Sequence, residues 1–412
     1  MQKCIDMSIK GILHNPAAGG VLLLSCALAA VFMASVPSLQ WFDRIWDIPA
    51  SVNLGNFSLE MSLREWINDA LMAVFFFLAG LEIKREMVAG RLSSVKKSTL
   101  PVMAALGGML FPALIYAAFN SGNPETAGGW GIPMATDIAF AVGVLSVLGD
   151  RVPAGVKIFL MTLAVVDDLG AIVVLALFYP VHPVDWMYFG FMAFILAVLV
   201  VMNIRNVRRR SVYLLLGLVL WYFTYMSGIH ATVAGVLLAM TIPSGMSVQD
   251  ADGNMRKLID PRVLGMESRL SPLVNLLIVP LFALANAGVA FRPEALAGGM
   301  SPVVPGIFFG LLLGKPAGIF LFSFLSIKSG LAVLPAGVKW SHVAAVGMLG
   351  GIGFTMSIFI DNLSFADQMI TDTGKLAILV TSVIAMVLGL VSMAFACKKQ
   401  INHKIIKDNE NS

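Results

Sequence analysis

The stretch "IFLMTLAVVDDLGAIVVLALFY", from Ile158 to Tyr179, has 22 residues, and Asp167 and Asp168 are its only charged side chains. About 20 apolar residues in a helix cross the hydrocarbon core of a bilayer, so this stretch is long enough to span one. An aspartate at the centre of a span costs roughly 2.5–3.5 kcal/mol and usually faces a bundle interior or a water-filled cavity. The adjacent acids therefore predict a membrane fold with an ion path through it.

Composition extends this prediction to the whole chain of 412 residues, which is 58% hydrophobic and 13% charged. Soluble domains average about 25% charged residues. Apolar stretches recur along the full length, which predicts a polytopic membrane protein without a separate soluble domain. The basic residues fall in short loops between these stretches, which is typical of membrane topology rather than nucleic-acid binding. The three cysteines have no paired spacing, so we expect no disulfide framework and no cysteine metal site.

Twelve apolar segments are predicted, and the distribution of basic residues supports that number. With both chain ends inside, 23 of the 28 basic residues lie on the cytoplasmic side, as the positive-inside rule requires. A single span over Ser211–Pro243 would instead place the cluster from Arg256 to Arg269 outside. The segments lie near 16–36, 65–88, 99–119, 127–148, 155–179, 185–204, 211–225, 228–242, 270–289, 303–325, 341–361 and 374–397.

Two stretches near the N-terminus leave alternatives open. Lys3 and Lys10 before the apolar run Val21–Ser35 fit either a retained first span or a cleaved signal peptide. In the first external loop, "ASVNLGNFSLE" alternates apolar and polar residues around Gly55-Asn56, which fits either a small β-hairpin or an irregular loop.

Further polar residues lie inside predicted spans. Lys315 in "LLLGKPAGIF" is mid-span, where it either neutralises a carboxylate or titrates as a desolvated amine. In "GIPMATDIAFAVG", Pro133 weakens the helix just before Thr136 and Asp137. A broken helix exposes backbone groups that must line a cavity or be covered by protein. Asp137 either caps the second half-helix or takes part in the ion site.

The eleventh segment contains "GMLGGIGFTMSIFI", in which four glycines precede Thr355. This density of glycine indicates either close helix packing or an unwound stretch. The similarity between "ATDIAF" and "FTMSIF" favours two related broken helices.

Charged residues near span ends form another candidate group. Glu82, Arg85 and Glu86 share one face at the cytoplasmic end of the second segment, where they either pair among themselves or line a cation entrance. Asp69 lies near the outer start of that helix, where its negative charge interacts favourably with the helix dipole. His230, at the outer start of the eighth segment, is either a packing residue or a pH-responsive group.

Several long motifs together resemble the NhaA family of sodium–proton antiporters. They include "VVDDLGAI", "ATDIAFA", "GLEIKRE", "GIGFTMSIF", "WINDALMAVFF", "SGIHATVAGV", "PLFALANAGV" and "LLLGKPAGI", in matching order over most of the chain. The resemblance implies an all-α polytopic fold of twelve transmembrane helices. Segments three to five and ten to twelve would form inverted repeats, and segments four and eleven would cross as discontinuous helices.

The same resemblance implies a single transporter domain over 1–412 with two parts. A core bundle would come from about 99–179 and 303–397. An interface or dimerisation part would come from about 12–90 and 185–289, with an external hairpin at about 45–62.

Site roles also follow from the resemblance. Asp167 and Asp168 would bind Na⁺ and protons, and no residue would be catalytic in the enzymatic sense. Thr136, Asp137, Lys315 and Thr355 would support that site, with Asp137 compensating half-helix N-termini and Lys315 the C-termini. Glu82, Arg85, Glu86 and Glu267 would belong to the pH response and the entry funnel. His230 joins this candidate group because of its titration range, not because of the resemblance. Ser268 and Ser271 depart from the family pattern, which has histidines there, so the pH response is expected to differ in detail.

The expected function is exchange of cytoplasmic Na⁺, and also Li⁺, for external H⁺. Exchange would be electrogenic and pH-regulated, with alternating access to the carboxylate site and a role in sodium and pH homeostasis. The expected setting is a bacterial inner membrane, with the lipid bilayer and a second copy in a homodimer as partners. Both termini would be cytoplasmic, and no cofactor would be needed.

Three other classes of membrane protein are alternatives to an exchanger. An intramembrane aspartyl protease would need a GxGD-type motif, which the sequence lacks. An intramembrane prenyltransferase would hold its acids in loops rather than mid-span. A passive cation channel shares the carboxylates and is separated from an exchanger only by coupled flux.

Overall fold

The computed structural model describes residues 16–39, 41–54, 57–180, 182–249, 255–289 and 301–410. The described chain is almost entirely helical, and its helices correspond in order to the segments predicted from the sequence. They are α1 (Pro16–Ser35), α2 (Leu63–Val88), α3 (Val95–Asn120), α4a (Pro124–Met134), α4b (Ile138–Ser146), α5 (Ala154–Phe178), α6 (Trp186–Ile204), α7 (Arg210–Met226), α8 (Thr232–Thr241), α9 (Pro261–Asn286), α10 (Val303–Lys328), α11a (Trp340–Gly350), α11b (Phe354–Ser364) and α12 (Gln368–Glu410).

Within the described residues, eight helices are individually long and apolar enough to cross a membrane. Two further spans are bent pairs, with α4a and α4b at 43° and α11a and α11b at 46°. The shorter apolar helices α7 and α8 complete the set of twelve predicted segments. The all-α polytopic prediction is therefore confirmed.

Helix bounds differ from the sequence prediction mainly at α9, and at α12, which runs over Gln368–Glu410 where the predicted segment lies near 374–397. Helix α9 starts at Pro261, although the predicted segment starts at 270, and Asp260 accepts a hydrogen bond from the backbone N–H of Arg262 at its first turn. The first turns of α9 carry charged residues, so hydropathy did not reveal where this helix starts.

One π-helical turn interrupts each of three spans: Trp66–Leu71, Val274–Ile278 and Gly310–Gly314.

Two short hairpins are the β-structure of the described residues. Strand β1 (Val52–Leu54) pairs antiparallel with β2 (Phe57–Leu59), in the stretch whose alternation is compatible with a hairpin; its turn residues lie outside the described part. Strand β3 (Gly245–Gln249) pairs with β4 (Met255–Ile259) ahead of α9. This second hairpin was not predicted from the sequence. Single-turn helices fill other connections, at Pro37–Leu39, Trp41–Ile45, Arg91–Ser93 and Gly149–Arg151.

The chain divides into two compact units. Unit 1 comprises Met1–Val21, Ser94–Gly170 and Arg292–Ser412, and unit 2 comprises Leu22–Ser93 and Ala171–Phe291. In unit 2, apolar side chains from α2, α6, α7, α8 and α9 form a core that includes Trp221. The partly buried Trp66 packs against this core, and its ring stacks on that of Trp221 with the centroids 6.1 Å apart.

Unit 1 is built on a close approach between α3 and α10. A side chain on Gly107 would collide with the carbonyl of Gly318, and a side chain on Gly318 would collide with the carbonyl of Gly107. Small residues that let backbones meet are the usual means of packing helices in a membrane. This contact brings Lys315, one turn before Gly318, into the interior of the unit.

Large apolar side chains are exposed along the spans. Phe194 is 64% exposed, Leu114 is 57% exposed and Phe395 is 69% exposed. Exposed apolar surface of this extent is unusual for a soluble protein and is what a lipid-facing surface requires.

Candidate ion-binding site

The fourth span breaks between Met134 and Ile138. Ala135 has ψ near 149° and Asp137 has φ and ψ near −84° and 99°, so the chain is extended here. Pro133, just before the break, supplies no backbone donor, and nearby glycines lower helix propensity. The local sequence therefore favours a stop at this point, and α4b begins afresh at Ile138.

The eleventh span breaks at Gly351–Gly353, between α11a and α11b. Glycine is the residue that loses most on being held in a helix, so three glycines among four residues favour an interruption. Both breaks are therefore encoded locally.

Hydrogen bonds join the two breaks. The backbone N–H of Asp137 donates to the carbonyl of Ile352 at 2.8 Å, and the hydroxyl of Ser357 donates to the carbonyl of Ile132 at 2.7 Å. Oγ1 of Thr136 lies 3.0 Å from the carbonyl oxygen of Gly350. Backbone groups freed by a break in a membrane must find partners inside the protein, and here each break satisfies the other.

Asp137 serves the N-termini of two half-helices at once. Its Oδ1 accepts a hydrogen bond from the backbone N–H of Phe140 at 2.9 Å, and Asp137 thereby caps α4b. Its Oδ2 accepts from the hydroxyl of Thr355 at 2.5 Å and from the backbone N–H of Thr355 at 3.3 Å, in the first turn of α11b. A carboxylate is favoured at each end because helix N-termini carry partial positive charge.

Lys315 connects a half-helix C-terminus to the paired acids. Its ammonium group donates to the carbonyl of Met134, the last residue of α4a, and to Oδ2 of Asp167 at 2.7 Å. The side chain is fully buried, and the π-helical turn Gly310–Gly314 directly precedes it. The ammonium thus faces both the negative end of α4a and a buried carboxylate.

Asp167 and Asp168 are 1% and 3% exposed. Oδ2 of Asp167 receives the Lys315 ammonium and lies 2.5 Å from the hydroxyl of Thr136. That hydroxyl has one proton, so it serves either Asp167 or the carbonyl of Gly350 at a given moment. Oδ1 of Asp167 accepts no hydrogen bond. A buried carboxylate oxygen in this condition suits a proton or a hard cation.

Four of the predicted funnel residues, Glu82, Arg85, Glu86 and Glu267, lie close together in unit 2. Arg85 on α2 forms an ion pair with Glu267 on α9, and its guanidinium lies 3.9 Å from Glu86. The charges of Glu267, Arg85 and Glu86 all act on Glu82. Ser268 and Ser271 follow on α9, where the hydroxyl of Ser271 accepts from the amide of Asn275 at 3.2 Å.

His230 and Asp69 lie apart from that cluster. His230 is buried in the connection before α8 and hydrogen-bonds the backbone of Tyr179. Asp69 lies in the π-helical turn Trp66–Leu71, and its carbonyl accepts from the indole of Trp221 at 3.0 Å.

Sequence reasoning missed several charged residues that the structure buries or engages, among them Lys84, Asp361 and Lys375. Lys84 donates to the carbonyls of Met240, at 2.6 Å, and Ile242, so it caps the C-terminus of α8. Asp361 on α11b and Lys375 on α12 are also buried. Lys84 stands inside the quoted "GLEIKRE", and its position one turn from the helix end was the available signal.

Relatives of known type cover almost the whole chain. A sequence profile of the family described as Na+/H+ antiporter 1 matches residues 10–393. The chain is 48% identical to the Na(+)/H(+) antiporter NhaA 2 of Flavobacterium johnsoniae over 96% of this chain and 94% of that protein. It is 46% identical to the Na(+)/H(+) antiporter NhaA of Yersinia enterocolitica over 96% and 99%, respectively.

Among solved structures, the sodium proton antiporter MjNhaP1 from Methanocaldococcus jannaschii aligns with a TM-score of 0.49 and 14% identity, over 95% of this chain and 96% of that one. The family match and the curated relatives confirm the resemblance to NhaA proteins inferred from the motifs. The chain belongs to the Na+/H+ antiporter 1 family.

Proposed function

We propose that this chain exchanges sodium ions for protons across a membrane, with Asp167 and Asp168 as the groups that bind both. The observation that carries the proposal is a pair of adjacent carboxylates, 1% and 3% exposed, beside the crossing of two broken helices. Membership of the Na+/H+ antiporter 1 family supports the same conclusion.

Competition at the carboxylates would produce the exchange. Sodium is a hard cation that prefers oxygen ligands, and protons bind the same oxygens. A negative charge at this depth is costly, so the site favours occupancy by one or the other. Of the two carboxylate oxygens of Asp167, Lys315 and Thr136 contact only Oδ2. Oδ1 is therefore available to bind the incoming ion. Sodium binding would weaken the hold of the Lys315 ammonium on Asp167.

Access to the acids requires a movement, because solvent scarcely reaches either side chain in this structure. We therefore propose alternating access, in which the site opens to one side of the membrane at a time. The crossing of α4 and α11 is suited to such a site because its unwound backbone is satisfied internally.

The direction and charge balance of exchange belong to the same proposal. Cytoplasmic Na⁺, or Li⁺, would leave while external protons enter, and two titratable acids allow more than one proton per cation. Net charge would then move, which a voltage-sensitive dye measures directly. We place the protein in a bacterial inner membrane with cytoplasmic termini, as a homodimer; a C-terminal reporter active only in the cytoplasm and the mass of the purified complex test these two points.

Asp168→Asn in proteoliposomes tests the exchange itself. A sodium gradient applied to vesicles with the parent protein should drive proton movement in the opposite direction, and the variant should reduce it to the level of empty vesicles. The matched control is Asp150→Asn, which changes an exposed carboxylate between α4b and α5 and should retain the parental rate. Robust exchange by folded Asp168→Asn protein would refute the assignment.

The same vesicles separate exchange from a passive channel. With the membrane potential clamped at zero, a channel carries sodium without moving protons, whereas an exchanger moves the two in opposite directions. Lithium and potassium in place of sodium test cation selectivity. Sodium flux without proton counterflow would favour the channel.

A further inference from the structure

A second buried acid lies outside the site described above. Asp361, near the C-terminus of α11b, is 0% exposed, and neither of its carboxylate oxygens accepts a hydrogen bond. Its Oδ1 lies so close to Gly374 of α12 that any side chain on that glycine would collide with it. The carboxylate is therefore enclosed between the two helices.

Lys375 supplies the positive charge next to this acid. Its side chain is 3% exposed, it follows Gly374 directly in the chain, and its positive charge offsets the negative charge of Asp361. A buried charge is tolerated in an interior only when an opposite charge compensates it. Neither residue contributes to the ion site as described, so the pair needs another explanation.

A second polar contact joins the same two helices at the other end of α11b. The backbone N–H of Phe354, the first residue of α11b, donates to the hydroxyl of Ser382 on α12 at 3.1 Å. Phe354 and Asp361 are separated by two helical turns, and so are Lys375 and Ser382 in the opposite direction. The two contacts therefore belong to one antiparallel register between α11b and α12.

This register bears directly on the proposed ion site. Thr355 follows Phe354, and both its hydroxyl and its backbone N–H donate to Oδ2 of Asp137. A shift of α11b along α12 would move Thr355 relative to Asp137. It would thereby loosen the helix crossing at which Thr136 and Lys315 contact Asp167.

We propose that the Asp361–Lys375 pair and Ser382 are positioning residues, which fix α11b in its register on α12 and thereby hold Thr355 on Asp137 beside the ion site. The inference rests on the proposed exchange function. It adds a role for residues that bind no transported ion themselves.

Sodium-dependent exchange in proteoliposomes tests the proposal through the apparent KM for sodium. Removing a supporting contact of a metal site typically costs 10–100-fold in affinity or activity. We expect Ser382→Ala and the double variant Asp361→Asn/Lys375→Met each to raise the apparent KM by about tenfold, with a smaller change in the maximal rate. Lys375→Arg keeps the charge and should keep the KM near the parental value.

The double variant separates positioning from charge balance. It removes both charges together, so it avoids an unpaired buried charge and folds even where a single substitution does not. Thr381→Ala is the matched control for Ser382→Ala, because the hydroxyl of Thr381 is equally buried but donates to Ala377 within α12 at 2.6 Å. Its KM should be parental.

Two results would overturn the inference. One is a parental KM for sodium in the double variant, which would mean that Asp361 and Lys375 only neutralise each other's charge. The other is an equal KM for Ser382→Ala and Thr381→Ala. Either result leaves the exchange function standing, since that depends on the parent protein and on Asp168→Asn.

Discussion

Asp167 and Lys315 hold opposite charges where neither side chain is more than 1% exposed. Breaking a buried ion pair by removing one partner costs about 3–5 kcal/mol, because the other charge stays buried without compensation. Lys315 has a second role, since its ammonium also faces the carbonyl of Met134 at the end of α4a. The residue therefore contributes to stability and to the ion site together.

Lys315→Ala should lower the free energy of unfolding by about 3–5 kcal/mol, because both Asp167 and the end of α4a lose their cation. Chemical unfolding of the purified protein in detergent, followed by tryptophan fluorescence, measures the change. Lys315→Arg retains the charge and should lose less.

Lys328→Ala is the control on the same helix. Lys328 is exposed, and its ammonium lies 5.9 Å from the centre of the Phe324 ring, an interaction worth about 0.5–1 kcal/mol. An unfolding free energy of Lys315→Ala equal to that of Lys328→Ala would exclude an electrostatic role for Lys315.

At the scale of elements, the crossing of the fourth and eleventh spans was predictable only in part. Pro133 and the glycines of "GGIGF" indicated two breaks from local chemistry alone. The hydrogen bond from Thr355 to Asp137 joins residues 218 positions apart, and no local pattern specifies such a contact. The same limit applies to the pairing of Lys315 with Asp167, for which the sequence left two roles open.

The ion pair between Arg85 of α2 and Glu267 of α9 joins two elements of unit 2. We propose that these residues, with Glu82 and Glu86, form a pH-responsive entrance. Glu267→Gln removes one negative charge and frees Arg85 to act on the remaining acids, and both effects weaken proton binding there. The pH of half-maximal exchange should therefore fall, by about one unit.

A pH series of sodium-driven exchange in proteoliposomes measures this shift. Glu125→Gln neutralises an exposed acid at the start of α4a and should leave the profile unchanged. If Glu267→Gln and Glu125→Gln have superimposable pH profiles, the cluster has no part in the pH response.

At the scale of the whole molecule, hydropathy and charge predicted the number and order of the spans. Charge distribution separated α7 from α8, which hydropathy alone left ambiguous. The prediction failed where a span begins with charged turns, as at Pro261, because hydropathy counts only the apolar part of a helix. It also did not reveal the β3–β4 hairpin, because "MSVQ" in β3 alternates apolar and polar residues but "MRKLI" in β4 does not, so no pair of alternating strands marks the hairpin.

Asp361 and Lys375 show the limit for charged groups near predicted span ends. Asp361 lies at the end of the predicted eleventh segment and Lys375 at the start of the twelfth, and these positions suggest contact with water. In the structure both are buried between α11b and α12. Burial of a charge at a helix end depends on which helix packs beside it, and that follows from the assembled fold rather than from either segment.

Proton release on sodium binding is the most direct test of competition at Asp167 and Asp168. We predict that sodium chloride added to the purified protein in weakly buffered detergent, at mildly alkaline pH, releases protons saturably, that choline chloride does not, and that Asp167→Asn/Asp168→Asn abolishes the release. Calorimetric sodium binding to the parent protein with no release of protons would contradict exchange at a shared site.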